Sequence, residues 1–515
     1  MVNGKRKESR CFNVRKIHPS DPFTRQKIVM QQEITQEGIH QVMEQSWAAF
    51  LQYRNVSVKD RASLMKRIAA KLENSGDALI QTAMRETNLP EARLKNERAR
   101  TVFQLNSYAE ACEQGHFLDA RVDKALPDRI PPRPDIRKMN IGLGPVVVFG
   151  ASNFPFAYST AGGDTATALA AGCPVVVKAH PAHPDTSDAV AALIAEAVSE
   201  SGLPDGVFQH VHGLSFAVGK GLVMHEKTKA VGFTGSFLGG KQLYDWAQER
   251  REPIPVFAEM GSVNPVFLLP QKLSQSADLL AEQLAGSITL GVGQFCTNPG
   301  LVIGVDGPHL QQFIDQLGLK IANIAPAKML HAGITKAYKE KKEHALSQAD
   351  VDLVSVSTVA VSSEMDGVPT IASATGEAFL NNPVLHQEVF GPYSIIIRCS
   401  NMQEMQDVAA ELEGQLTCSL MATEEDMMQH HHLVEQISLL CGRIIMNSVP
   451  TGVEVCWSMQ HGGPFPATTD ARFGSVGPDA IKRFVRPLSF QNFPNTLLPE
   501  ELKDGNPLGI PRIEY

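Results

Sequence analysis

The 515-residue chain has no CxxC pair: its eight cysteines, at positions 11, 112, 173, 296, 399, 418, 441 and 456, are scattered along its length. That spacing suits neither a zinc knuckle nor a disulfide ladder and reads as reduced thiols in a cytoplasmic protein. No apolar run reaches the roughly 18 residues needed to cross a bilayer as a helix, so no membrane association is expected. The basic stretch MVNGKRKESRCFNVRK is not followed by the apolar core of a secretory signal. Long blocks of Lys and Arg are also missing; 47 of them against 55 Asp and Glu give a net charge of −8, which argues against a nucleic-acid partner. Charged residues, at 20%, fall below the roughly 25% usual in soluble domains, whereas 43% of residues are hydrophobic. A chain of this length and balance has a large interior divided over two or three domains, and small-molecule chemistry is the better expectation.

Residues 30–116 are dense in Ala, Leu, Glu, Lys and Arg at helical spacing, so they predict a helical lead-in. From 119 to 140, four prolines and alternating charges break that pattern, as either an extended arm or a plain surface loop. Apolar runs of strand length then alternate with Ala-rich segments. Pro145–Phe149, Pro174–Lys178, Gly206–Val211 and Lys229–Phe233 read as strands, with helices over Gly163–Ala171, Ser187–Ser201 and Gly239–Glu249. Such alternation predicts an α/β fold with a parallel sheet covered on both faces, whose ligands bind beyond the carboxyl ends of the strands. A second α/β block follows a break near 258, with helices over Asp278–Leu290 and Leu310–Ile324 and strands over Gly300–Val305 and Ser394–Arg398. The proline-bearing tail from Arg486 reads as a segment that wraps over a neighbouring domain or subunit.

Four local patterns carry chemistry. Gly235-Ser-Phe-Leu-Gly-Gly240-Lys241 fits the first part of a phosphate-binding P-loop, but Gln242 replaces the hydroxyl residue that would ligate magnesium. Its glycine-rich turn, opening a helix, suits the pyrophosphate of a dinucleotide; a close-packed turn is the plainer alternative. Gly293-Gln-Phe-Cys296 offers a thiol, although an isolated cysteine is more often a small core residue. Glu259 closes an apolar strand, where it is either a base or a structural cap. Asn153, after the Val-rich strand, places an amide donor at the same end of the sheet. A thiol, an amide donor and a carboxylate beside a dinucleotide site are the parts needed to oxidise a carbonyl through a covalent intermediate.

Taken in order, Asn153-Phe-Pro, Val177-Lys178, Gly232-Phe-Thr-Gly-Ser236, Glu259-x-Gly, Gly293-Gln-x-Cys296-Thr and Glu388-Val-Phe-Gly-Pro392 resemble the motif set of the aldehyde dehydrogenase superfamily over residues 40–490. The flanking text is similar to the bacterial α-ketoglutaric semialdehyde (2,5-dioxopentanoate) branch and to the related NADP-linked fatty aldehyde branch. The resemblance implies a Rossmann-like cofactor domain, 1–118 with 141–258, a catalytic domain, 259–483, and an oligomerisation arm and tail, 119–140 with 484–515. It implies Cys296 as nucleophile, Glu259 as base and Asn153 as oxyanion donor. It also implies a coenzyme site at Lys178, Pro181, Gly235, Ser236, Gly240, Glu388 and Phe390. Phe154, Phe156, Phe295 and Trp457 are candidates for an apolar substrate funnel. No metal or ATP is called for.

NAD-specific relatives often carry Glu three residues after the lysine, and here that position is Pro181, so both coenzymes are expected, with a slight lean to NADP. His180 and His183 read as ordinary loop histidines or as phosphate contacts. The branch favours α-ketoglutaric semialdehyde as substrate, with aliphatic aldehydes as runner-up, in a homodimer or homotetramer. A noncatalytic or nucleotide-hydrolysing P-loop protein is the competing class, disfavoured by Gln242 and by the joint presence of Cys296, Glu259 and Asn153. His430-His-His432 on a helix cannot converge on one ion, because successive side chains point about 100° apart.

Overall fold

The computed structural model describes residues 33–515; the basic N-terminal stretch and Cys11 lie outside the described residues. Four helices, Gln36–Tyr53, Val58–Glu73, Gly76–Thr87 and Glu91–Gln114, open the described chain. In the second of them Ala62, Met65, Ile68, Ala69 and Leu72 are all buried, one stripe at three- and four-residue spacing. Ser57 caps its N-terminus, accepting from the Asp60 N–H at 3.1 Å.

These helices cover a five-stranded sheet in the order Phe208–Val211, Val175–Lys178, Val146–Phe149, Ala230–Thr234, Val256–Glu259. All neighbours are parallel. Val146, Val148, Val175 and Val177 pack into the core beneath the helices, whereas Val147 and Val176 pack on the opposite face with Ile39, Val218 and Leu222. Burial of alternate valines on both faces explains why the strands are continuous apolar runs. The chain enters at the central strand, builds outward to one edge, then returns to build the other. The crevice of this order reversal lies between the ends of Val146–Phe149 and Ala230–Thr234.

A seven-stranded sheet follows, in the order Val351–Val356, Thr370–Thr375, Tyr393–Cys399, Leu301–Val305, Val266–Leu268, Gln415–Met421, Cys441–Met446. Only its first pair is antiparallel. Helices Pro270–Thr289 and Pro308–Ala322 pack on one face, against Val266, Leu268, Val302 and Ile396. Three helices begin earlier than their apolar spacing predicts, at Pro184, Pro270 and Pro308. Each proline occupies the first helical turn, where its missing N–H has no intrahelical partner to lose.

Residues 119–140 and the tail come together in a third sheet, in the order Val485–Gln491, Ile136–Gly142, Ala120–Asp123, Arg512–Glu514. The tail also buries Leu498, Leu502 and Ile510 in the larger core of its own chain. Among the described residues, no helix is long and apolar enough to cross a membrane.

The central strand Leu301–Val305 makes a direct prediction. Ile303 is completely buried, so Ile303→Ala is expected to cost about 2–5 kcal/mol through lost transfer energy and a residual cavity. A lower temperature of inactivation in a thermal ramp is the readout; an unchanged one would contradict the packing described.

Candidate active site

Glu259 is the last residue of the edge strand Val256–Glu259, and it is buried. Segment 461–475 lies along that strand: Met260 N–H donates to Ala467 O at 2.8 Å, Thr469 N–H to Ala258 O at 3.1 Å, and Glu259 bridges to Thr468. This places His461 and Ser475 against the carboxylate. Ser475 Oγ donates to Glu259 Oε2 at 2.5 Å, and His461 Nε2 lies 3.0 Å from Oε1. That second contact is within ion-pair reach but off the line of a hydrogen bond, so Oε1 is a buried acceptor without an aligned donor among the described residues.

Cys296 Sγ is 3.5 Å from the same His461 Nε2. Thiol, imidazole and carboxylate all lie within 4.8 Å of one another. Burial and the neighbouring Glu259 charge hold the thiol well above its ordinary range, partly offset by Arg100. For Glu259, burial acts to raise the pKa, but His461, Ser475 and Cys296 outweigh it and the net direction is down. The resting site therefore has an ionised carboxylate beside a protonated thiol.

The loop carrying Cys296 is shaped by Gly291, Val292 and Gly293, at φ 56°, 60° and 64°. A Cβ on Gly293 would stand 2.2 Å from Gly391 O, so the glycine of the cysteine motif and that of Glu388-Val-Phe-Gly391-Pro392 meet at one point. Asn264, itself at φ 47°, donates from Nδ2 to Cys296 O at 2.9 Å and to Asn298 O at 3.0 Å. Its Oδ1 accepts from Ser262 Oγ and Thr417 Oγ1, each at 3.0 Å. Asn153 Nδ2 donates to Gln294 O at 3.2 Å, two residues before the cysteine. Glu97 fixes the loop after Asn153 by accepting from the N–H groups of Phe156 and Ala157 at 2.8 and 3.0 Å.

Phe154 and Phe295 meet edge to face at 5.5 Å and share an apolar cluster with Tyr158, Val455 and Met459. Phe156 is fully buried in the larger core. Trp457 is 46% exposed and stands edge-on to His116 at 5.5 Å.

Lys178 ends the strand next to the crevice; burial lowers its pKa and Glu33 opposes that. Glu33 accepts from the N–H groups of Leu214 and Ser215 at 2.8 and 2.9 Å. Pro181 is exposed. Ser236, also exposed, caps helix Phe237–Glu249 by accepting from Gly239 N–H at 3.2 Å. Gly235 N–H donates to Glu259 O at 3.0 Å, and a Cβ on Gly240 would press on Met260 Sδ at 2.7 Å, so this turn sits tightly on the strand end bearing the carboxylate. Glu388 approaches Gly261 so closely that a Cβ there would lie 2.7 Å from its Oε2, and burial raises its pKa to about 7. Glu388 and Phe390 line one small cavity with Ser262, Gly293 and Asn298. A lysine at a strand end, an exposed helix N-terminus and a buried carboxyl group near the cysteine loop fit a nicotinamide dinucleotide laid across the crevice.

His183 is fully buried, whereas His180 is half-buried and accepts from Ala182 N–H at 3.1 Å; burial lowers both pKa values. His183 uses both ring nitrogens, on Ala151 O at 2.8 Å and Ser187 Oγ at 3.1 Å. His461, Ser475 and Asn264 went unrecognised in the sequence. His461 stands in His461-Gly-Gly-Pro464, and a histidine before paired glycines is the only local signal it gives.

The profile of the Aldehyde dehydrogenase family matches residues 12–464. Alpha-ketoglutaric semialdehyde dehydrogenase 2 of Azospirillum brasilense is 46% identical over 93% of this chain and 91% of its own. Alpha-ketoglutaric semialdehyde dehydrogenase of Acinetobacter baylyi is 42% identical over 99% of this chain and 97% of its own. Among solved structures, 1-pyrroline-5-carboxylate dehydrogenase from Thermus with bound NAD superimposes with a TM-score of 0.75 at 20% identity, covering 89% of this chain and 86% of that one.

Because the Glu259 charge helps to hold the Cys296 proton, Glu259→Gln is expected to move the pH inflection of Cys296 alkylation by iodoacetamide downward. An inflection that stays in place or rises would show that the carboxylate does not control the thiol.

Proposed function

As the chain belongs to the aldehyde dehydrogenase family, we propose that it oxidises α-ketoglutaric semialdehyde to 2-oxoglutarate through a covalent Cys296 intermediate. The protein is an NAD(P)-dependent aldehyde dehydrogenase. The observation that carries the mechanism is the contact of Cys296, His461 and Glu259 within 4.8 Å.

Cys296 Sγ attacks the aldehyde carbon, and the thiol proton passes to His461 Nε2 or directly to Glu259. An imidazolium so formed stands against the ionised carboxylate, which stabilises it while the thiolate reacts. The Asn153 side-chain amide and the Cys296 N–H hold the oxyanion, a contribution of about 10²–10³ in rate for such a donor. Lys178, Ser236 and Glu388 would hold NAD(P), which when bound would supply the two-electron acceptor for the hydride that the thiohemiacetal must lose. The resulting thioester is hydrolysed when Glu259 takes a proton from water, and Cys296 leaves as the carboxylate product forms.

Lys178 and Ser236 are assigned to the ribose and pyrophosphate, Glu388 and Phe390 to the nicotinamide side, with Gly235 and Gly240 shaping the turn. Phe154, Phe295 and Trp457 are assigned to the substrate funnel, while Phe156 supports it from the core. Pro181 puts no carboxylate against a 2′-phosphate, yet Glu33 offsets Lys178, which supports use of both coenzymes with a slight lean to NADP. The seven described cysteines are free thiols, in keeping with a reducing, cytoplasmic setting. Strand Val485–Gln491 pairs on one side only, and its open edge is the proposed seam of a homodimer or homotetramer.

Glu259→Gln is expected to keep a pre-steady-state burst of reduced coenzyme while steady turnover collapses, since hydride transfer precedes deacylation; loss of the burst and of turnover together would remove the base assignment. His461→Asn is expected to slow the burst itself by about 10²-fold or more, and an unaltered burst rate argues against proton handling by the imidazole. For coenzyme choice, kcat/KM ratios for NADP over NAD slightly above one are expected, and a strong NAD preference overturns the lean.

A further inference from the structure

Helix Glu91–Gln114 presents Arg93, Glu97 and Arg100 on one face, at spacings of four and three residues. Arg93 is fully employed. Its guanidinium lies 4.6 and 4.5 Å from the ring centres of Phe154 and Phe295, donates to Asn153 O at 3.2 Å and stands 3.9 Å from Glu97. Arg100 differs. It donates to Tyr158 Oη at 3.2 Å, its charge sits 5.6 Å from that ring, and its Nε is buried without an acceptor. Arg443, from strand Cys441–Met446 of the other sheet, donates to Pro450 O and Gly452 O at 3.2 Å and reaches Met459 Sδ at 3.7 Å. Its Nε is likewise buried and unpartnered.

Neither Arg100 nor Arg443 has a carboxylate within ion-pair distance among the described residues. Arg100 is tied to the surroundings of the thiol through Tyr158, whose ring centre lies 6.3 Å from that of His461, the imidazole 3.5 Å from Cys296 Sγ. Tyr158 and Met459, the residues they touch, belong to the apolar cluster that also contains Phe154 and Phe295. Two half-buried guanidinium groups, each with a buried Nε that lacks an acceptor and with Glu97 beyond ion-pair distance of Arg100 as the nearest carboxylate charge, are costly to keep without a closer anion. A ligand that arrives at Cys296 with an anionic end supplies one.

We propose that Arg100 and Arg443 form the anion-recognition end of the substrate tunnel, pairing with the carboxylate and 2-oxo oxygens of the semialdehyde while its aldehyde carbon meets Cys296. The inference rests on the substrate reading above and adds the residues that make it selective. Guanidinium suits this task because its planar donors match a carboxylate and its adjacent carbonyl. Tyr158 is a positioning residue that orients Arg100, and Arg93 aligns the two phenylalanines between the anion end and the thiol.

The test compares kcat/KM for α-ketoglutaric semialdehyde with that for hexanal in the wild type, Arg100→Gln, Arg443→Gln and the corresponding Lys variants. Each Gln variant is expected to lower the semialdehyde-to-hexanal ratio by about 10- to 100-fold, the size of a lost charge-assisted hydrogen bond. The change is expected in KM for the semialdehyde, and competitive inhibition by 2-oxoglutarate weakens in parallel. Lys variants, which keep the charge, retain more of the preference. An unchanged ratio, or equal loss on both aldehydes with wild-type inhibition by 2-oxoglutarate, overturns the anchor while leaving the substrate reading intact. A wild-type protein without preference for the semialdehyde overturns both.

Discussion

The site depends on one buried charge. Glu259 is ionised at the end of an edge strand where almost no solvent reaches it, and an unpaired carboxylate there would cost several kcal/mol. His461 and Ser475 offset that cost. They reach it only because segment 461–475 is laid as an extra, irregular partner along Val256–Glu259. The same segment therefore completes the edge of the sheet and supplies the groups that set the electrostatics of the thiol. Fold and chemistry share these backbone hydrogen bonds, so a change that frees the segment weakens both.

A second constraint concerns position. The cysteine loop passes through three successive residues with left-handed backbone, including Val292, whose branched side chain disfavours that region. Asn264 opposes relaxation by grasping two carbonyls of the loop, and it is held in turn by Ser262, Thr417 and Gln415. Strand Gln415–Met421 is buried at every position although it carries Gln, Thr and Ser. Gln415 and Thr417 support the cysteine loop through Asn264, which explains their presence inside the sheet.

What the sequence reveals follows the range of each interaction. Strands such as Val146–Phe149 and helices such as Val58–Glu73 are legible because their apolar period is local. Cys296, Glu259 and Asn153 are legible as candidates because each sits in a short motif at a strand end or loop. Helix starts are less legible: the apolar spacing begins only after Pro184, Pro270 and Pro308, each of which occupies the first helical turn. Strands Thr370–Thr375 and Gln415–Met421 lack the pure Val and Ile runs of the others and escaped notice. His461 lies 165 positions beyond Cys296, and Arg443 meets Met459, in the apolar cluster of Tyr158, from a strand of the other large sheet. No spacing rule connects such residues, because their meeting is produced by sheet order and by the path of segment 461–475.

The charges around Cys296 also fix an order of events. A thiolate and the Glu259 carboxylate repel each other at this distance in a medium poorer than water at screening them, so the resting thiol keeps its proton. In the proposed mechanism, ionisation becomes favourable when that proton can move onto His461 or Glu259 and when the developing negative charge moves away from sulfur onto the aldehyde oxygen, where the Asn153 amide and the Cys296 N–H receive it. Once the thioester has formed, sulfur carries no charge and the repulsion disappears. Glu259, having returned its proton to solvent, is then free to act on water. In the proposed mechanism the same carboxylate thus restrains the thiol before substrate arrives and serves as base afterwards, and the switch between the two roles is the covalent state of Cys296 itself.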